Sequence, residues 1–295
     1  MKNKLLLRLI ISHLLALFAF KVGVSSITLI IFIFFLILRS VGLTVAYHRY
    51  FAHRSFKTSR FFQFILALWG GLSAQRGPLW WAAKHRTHHK YSDQPGDPHS
   101  PHVDSFFTSH IGWALKAESM ETDYSMVKDF KKYPELFYFN KFHDLYMLSF
   151  ALFIYVMGAT INHYYPELGT SGAQMLVWVY VINTLVHVHL TFFVNSIGHL
   201  FGTKELGEYK CERDDKSGNI AWLALLTAGE GWHHNHHTFP YSARIGIKWY
   251  QIDLGYLFIK AFEKLNLVWN VKTPKKETLD EICQLNALDK YIHKV

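Results

Sequence analysis

Nineteen of the 295 residues are histidine, and they are not evenly spread. Four groups could carry chemistry. They are His48-Arg-Tyr-Phe-Ala-His53, His85-Arg-Thr-His88-His89, Asn195-Ser-Ile-Gly-His199 and His233-His-Asn-His236-His237. Residues at i, i+3 and i+4 share one face of a helix. His85, His88 and His89 can therefore present three imidazoles to one point, as can His233, His236 and His237. Asn195 and His199 share a face in the same way. His48 and His53 are five apart, about 140° around an ideal helix, so they need a helix end between them or two metals to serve. His234 points off the face shared by its neighbours. Imidazole suits iron, zinc, copper and nickel. A structural zinc takes four ligands, so nine clustered His exceed one ion and fit two ions of four to five ligands each. Two adjacent irons can together reduce dioxygen. Iron is the choice on chemical grounds, and nothing in the spacing excludes zinc. The isolated His13, His110, His143, His163, His187, His189 and His293 read as ordinary hydrogen-bonded residues. His99 and His102 read as loop or supporting residues. Two cysteines, Cys211 and Cys283, exclude a disulfide scaffold and any Cys-rich metal site.

The elements that must hold these groups are written in the apolar residues. Half the chain is apolar and only 18% is charged, against roughly 25% charged in a typical soluble domain. Disorder, collagen and coiled coil are excluded. The apolar residues concentrate in four runs, about 5–20, 22–45, 145–165 and 173–195, each near the length of about 20 residues that a bilayer core requires. The expected fold is an all-α membrane protein. It has four transmembrane helices in two hairpins and a helical cap, 46–144 and 196–295, on one single domain. A signal peptide could imitate 5–20, but Phe20-Lys21-Val22 is no small-residue cleavage site and a second span follows at once. The run Phe61–Gly71 is too short to span and reads as an interfacial or buried helix. The tail Lys275–Val295 reads as a short amphipathic helix.

Lys and Arg flank the first run and fill the segments after His48 and His199, whereas the links on the other side carry only Lys21. The positive-inside rule then puts both termini and the cap in the cytoplasm, the inner membrane of a bacterium being the natural setting. His48 follows span two and His199 follows span four, so all four groups can meet just outside the bilayer. The net charge of +9 suits anionic lipid headgroups, with a face for an acidic electron carrier or a phosphate-bearing substrate. No nucleic-acid partner is expected.

The segments AYHRYFAHRSF, QRGPLWWAAKHRTHHKYSDQPGDPHSP, SHIGW, NSIGHLFG and GEGWHHNHHTFPY, between about Gly42 and Tyr241, resemble the membrane-bound fatty acid desaturases. The match is closest to the acyl-CoA Δ9, or stearoyl-CoA-type, desaturases and their bacterial relatives. The resemblance implies nine iron ligands, His48, His53, His85, His88, His89, His199, His233, His236 and His237, with Asn195 holding a metal-bound water. It implies a kinked apolar tunnel for the acyl chain. Gln75 and Trp81 match positions at the tunnel mouth, and Leu36, Ser40 and Thr44 match its facing stripe on span two. Asp93, Asp97 and Glu230, beside the clusters, are candidates for fixing the imidazole tautomers. The implied reaction takes two hydrogens from an unactivated methylene pair with dioxygen and two electrons, giving a cis alkene and two waters.

The chain departs from the animal enzymes after the GW of SHIGW. Their Arg-Lys pair, which helps hold the CoA phosphates, is replaced by ALKAES with only Lys116, and Arg76 and Lys84 are the nearby substitutes. The acyl carrier is accordingly CoA, acyl carrier protein or an intact membrane lipid. No HPGG haem motif occurs, so electrons come from a separate ferredoxin or b-type cytochrome with its reductase. A membrane di-iron hydroxylase or ketolase would share the metals. A non-enzymatic metal-handling membrane protein would want ionisable residues within the spans. Only Arg8, His13, His163, His187 and His189 qualify there, and that reading leaves QRGPLWW and SHIGW unexplained.

Overall fold

A computed structural model gives the fold and describes residues 2–206, 209–210 and 216–275. The fold is mostly helical. Among the described residues, three helices are long and apolar enough to cross a membrane: α2 (Ser26–Ala52), α5 (His143–Tyr164) and α6 (Gly172–Leu200). The first apolar run forms α1 (Lys2–Ala16), 15 residues long and so about 22 Å at 1.5 Å per residue. It falls short of a bilayer core of about 30 Å. The other spans also run differently from their sequence bounds. Ser25 caps α2 by accepting from the Thr28 amide, so the helix starts at Ser26 rather than at 22. It then continues past residue 45 to Ala52. The expected helix in the tail and His293 lie outside the described residues, apart from Lys275 itself.

Polar side chains pin the spans together. Gln174 Oε1 accepts from the Ser25 amide at 3.1 Å and the Ser25 hydroxyl at 2.9 Å. Asn183 Nδ2 donates to the Phe32 carbonyl at 2.7 Å, and Arg39 Nη1 donates to Thr184 Oγ1 at 2.7 Å. Such bonds register helices that lipid cannot drive together. Gly158 and Gly172 let α5 and α6 touch. A Cβ on Gly158 would meet the Ser171 carbonyl at 2.6 Å, and one on Gly172 the Tyr155 carbonyl at 2.8 Å. Phe35, Phe150, Ile154, Met175 and Val179 fill the space between the spans.

Five further helices carry or support the His groups and pack near the end of α2. They are α3 (Arg60–Gly71), α4 (Pro78–Tyr91), α7 (Ala221–Leu226), α8 (His233–Thr238) and α9 (Leu254–Lys264). The run 61–71 is thus a helix that buries Gln63, Leu66 and Ala67 and exposes Phe61. Pro78 opens α4 after Gly77, where its missing N–H costs nothing. A core of Tyr47, Phe51, Leu66, Leu79 and Phe130 joins the end of α2 to α3 and α4. Truncating Phe51 to Ala there would cost about 3–5 kcal/mol. The strand pair Lys57–Thr58 with Val268–Trp269 ties the chain after α9 back to the end of α2.

Candidate metal centre

The last ten residues of α2, Leu43–Ala52, are a π-helix. The His53 amide donates to the His48 carbonyl at 3.1 Å, an i to i+5 closure. That closure stacks residue 53 over residue 48, and their rings stand 4.9 Å apart. The 140° separation expected from an ideal helix is thereby removed without a helix end. Arg86, inside the second His group, fixes α4 against this turn. Its guanidinium donates to the Phe51 and Ala52 carbonyls at 2.8 Å and pairs with Asp129, filling helix-end acceptors that would otherwise be orphaned.

Two donor sets result. His48, His53, His85, His89 and His236 place ring nitrogens within 4.8 Å of one another, and His88, His199, His233 and His237 do the same. Each three-His box is therefore split. His85 and His89 face one point and His88 the other; His236 faces one and His233 and His237 the other. The expectation of three imidazoles at one point is corrected, because adjacent helical residues diverge by about 100°. Nε2 meets Nε2 at 2.8 Å for His53–His85 and His89–His236, 3.0 Å for His48–His236, and 2.9 Å for His199–His233.

Carboxylates stand behind both sets. Asp97 lies 3.0 Å from His88 Nδ1, Asp93 Oδ2 lies 2.8 Å from His199 Nδ1, and Glu230 Oε2 lies 2.6 Å from His48 Nδ1. A carboxylate at Nδ1 keeps the proton there and turns the Nε2 lone pair inward. Glu230 is itself held by the Thr44 hydroxyl and lies 3.9 Å from Arg49, which pairs with Asp253 at 2.7 Å. Burial alone would raise the Glu230 and Asp93 carboxyls. The charge of His48 outweighs it at Glu230, and the bond and charge of His199 outweigh it at Asp93, so both lie below their ordinary range. Burial, then the neighbouring imidazoles, holds His53, His85, His89, His236 and His237 well below the ordinary value. These rings stay neutral at pH 7. Lone pairs converging in sets of five and four fit two adjacent metal ions.

A narrow cavity opens beside both sets, walled by Ser40, Trp81, His187, Thr191, Asn195 and Thr227. Asn195 is half-buried on this wall, and its carbonyl accepts from Ser109 at 3.2 Å. Gln75 Nε2 donates to Thr191 at 2.9 Å, and Trp81 donates to Gln75 Oε1 at 3.1 Å. Of the α2 stripe, Ser40 reaches the cavity. Thr44 instead turns to Glu230, and Leu36 stays half-buried off the cavity wall. The π turn starting at Leu43 moves the face, so Leu43 lines the cavity where Thr44 was expected.

One residue escaped the sequence reading, and a second was read only as a loop or supporting residue. His187 is buried, with Nδ1 3.3 Å from Ser40 Oγ, and nothing in its spacing marked it. His99 is buried against His88 and Asp97, and the DxH spacing of Asp97 and His99 was the available signal. His110 joins Ser196 at 3.1 Å and His189 at 2.9 Å.

Residues 25–270 match the family described as Fatty acid desaturase. The hex-5-enoyl-[acyl-carrier protein] acetylenase of Moorena producens is 35% identical, over 87% of this chain and 80% of its own length. The sn-1 stearoyl-lipid 9-desaturase of Anabaena variabilis is 32% identical, over 90% of this chain and 92% of its own. The acyl-CoA C20 Delta5-desaturase of Anemone leveillei is 33% identical, over 90% and 80%. With a family match across most of its length and a His-rich two-metal donor set between apolar helices, the chain belongs to the fatty acid desaturases, a family of oxidoreductases.

Proposed function

We propose that the protein introduces a cis double bond at Δ9 of a saturated long-chain acyl group, using dioxygen and two irons. The observation that carries this is the pair of His sets, five and four, opening on one cavity between the spans. The proposed iron ligands are the nine His, with Asn195 beside them on the cavity wall. The metals would supply the reduction of dioxygen and the removal of hydrogen from carbon. The chain's own residues do the rest. Asp97, Asp93 and Glu230 fix the tautomers of His88, His199 and His48. Trp81, Thr191 and Gln75 bend and fix the acyl chain at the entry to the cavity, where a misplacement of about 1 Å costs roughly a hundredfold. The buried wall excludes water from the reacting carbons.

Support for Δ9 comes from the stearoyl-lipid 9-desaturase among the relatives. The substrate is an acyl thioester or a lipid ester, and electrons come from a ferredoxin or a b-type cytochrome. The whole chain acts as one multi-pass domain of a bacterial inner membrane, with α1 as a further membrane-embedded helix. The metals, the cap and both termini lie on the cytoplasmic side. Gas chromatography of lipids from expressing cells tests the reading. A new monounsaturated acid with its bond mapped to carbon nine is expected. A hydroxy acid in its place would favour the hydroxylase reading.

A further inference from the structure

His187 is 2% exposed and lies on the wall of the cavity beside the two His sets. It is a member of neither set. On α6 it stands eight residues before Asn195, about 12 Å along the axis, so it lines the part of the wall remote from the metals. Ser40 of α2 and Thr227, the residue after α7, share the wall with it. This stretch therefore presents two hydroxyls and an imidazole. A plain hydrocarbon end would ask only for apolar side chains there.

The hydroxyls are engaged. Thr227 donates to the Leu223 carbonyl at 2.5 Å, and Ser40 Oγ lies 3.5 Å from the Leu226 carbonyl. The imidazole is engaged on one side only. Its Nδ1 lies 3.3 Å from Ser40 Oγ, whereas its Nε2 is buried with no partner. A buried polar atom left in that state is penalised until a ligand or a water fills it. The missing partner can be typed from the two tautomers. If Ser40 donates to Nδ1, Nε2 carries the proton and needs an acceptor. If Nδ1 donates to Ser40, Nε2 is a lone pair and needs a donor. A hydroxyl is both and serves either case, while an ether or carbonyl oxygen serves only the first.

We infer that the cavity takes an acyl chain bearing a hydroxyl at its far end, and that His187 Nε2 is the group that binds this hydroxyl. This rests on the desaturase reading above and narrows its substrate class to chains oxygenated at the end remote from the carboxyl. A methyl end would leave Nε2 unpaired inside the filled cavity. A site that pairs its buried polar atom with a substrate hydroxyl discriminates against the analogue lacking it.

The test feeds expressing cells equal amounts of stearate and ω-hydroxystearate and measures, by gas chromatography, the fraction of each that gains a double bond. Wild-type protein should convert a roughly tenfold larger fraction of the hydroxy acid. His187→Leu keeps bulk but removes Nε2 and should abolish that preference. His187→Gln, whose amide can donate or accept, should retain part of it. Equal conversion of the two acids by wild-type protein, the result of a trapped water at Nε2, overturns the inference. So does a preference that survives His187→Leu. A second measurement needs no turnover. With purified, iron-loaded wild-type protein, ω-hydroxystearic acid should raise the melting temperature more than stearic acid does, and equal shifts overturn the inference. A larger shift with the hydroxy acid, when neither acid gains a double bond in cells, removes the desaturase reading and leaves the hydroxyl site standing.

Discussion

At the scale of single residues, what matters is which point each imidazole faces. Two rings on adjacent helical positions diverge by about 100° and cannot share one ion, but they can each serve one of two ions a few ångströms apart. His88 and His89 do this, as do His236 and His237. The split gives an expected stoichiometry. His89→Ala removes a donor from the set of five, and His88→Ala one from the set of four. Each should lower bound metal from about two ions per chain toward one and abolish product, while the exposed His163→Ala keeps both. Two ions retained in purified His88→Ala protein would break the assignment. The carboxylates act one step back. Asp97→Asn and Glu230→Gln keep size and remove the charge at Nδ1, so metal affinity should fall roughly 10–100-fold in a chelator competition. An unchanged affinity would reduce both carboxylates to packing.

At the scale of elements, the sequence carried three of the four expected apolar helices and the His groups but not the local winding. A helix was legible in HxxHH because α4 is regular, although its three rings divide between two donor sets. Helical spacing misled in HRYFAH because the turn there closes i to i+5, and apolar periodicity over ten residues does not separate a π-turn from an α-turn. The same winding carried Thr44 away from the cavity and brought Leu43 to it. Burial of His187 beside Ser40 was invisible for a different reason: a lone His on a span has no sequence partner to mark it. On the proposed reading, Ser40 alone among the three stripe residues is placed to sense chain length. Ser40→Tyr narrows the cavity from the α2 side. It should move preference from eighteen- toward sixteen-carbon chains, with the double bond kept at the same distance from the carboxyl end. Leu36→Ala, off the cavity wall, should leave that preference where it is. Competition between the two chain lengths decides it, since an equal product ratio in metal-loaded Ser40→Tyr would remove Ser40 from the tunnel.

At the scale of the whole molecule, the metal centre is also a strain on the fold when metal is absent. Burial, reinforced by mutual repulsion of the rings, holds His53, His85, His88, His89, His233, His236 and His237 neutral in the folded chain. It lowers His99 to about 3. In an unfolded chain each would titrate near about 6.5. A group whose pKa is depressed by folding leaves the unfolded state binding more protons as pH falls below that value. Stability then rises with pH up to about 6.5 and is lost as pH falls through it. Because several groups titrate together, the slope should be that of several protons. Protein stripped of metal should therefore melt at progressively lower temperature from pH 7 to pH 5, and double substitution of His53 and His236 by Gln should flatten the dependence. A melting temperature that ignores pH over that range would mean that the rings are protonated in the folded chain. The neutral, inward-facing donor set on which two metal ions depend would then be absent.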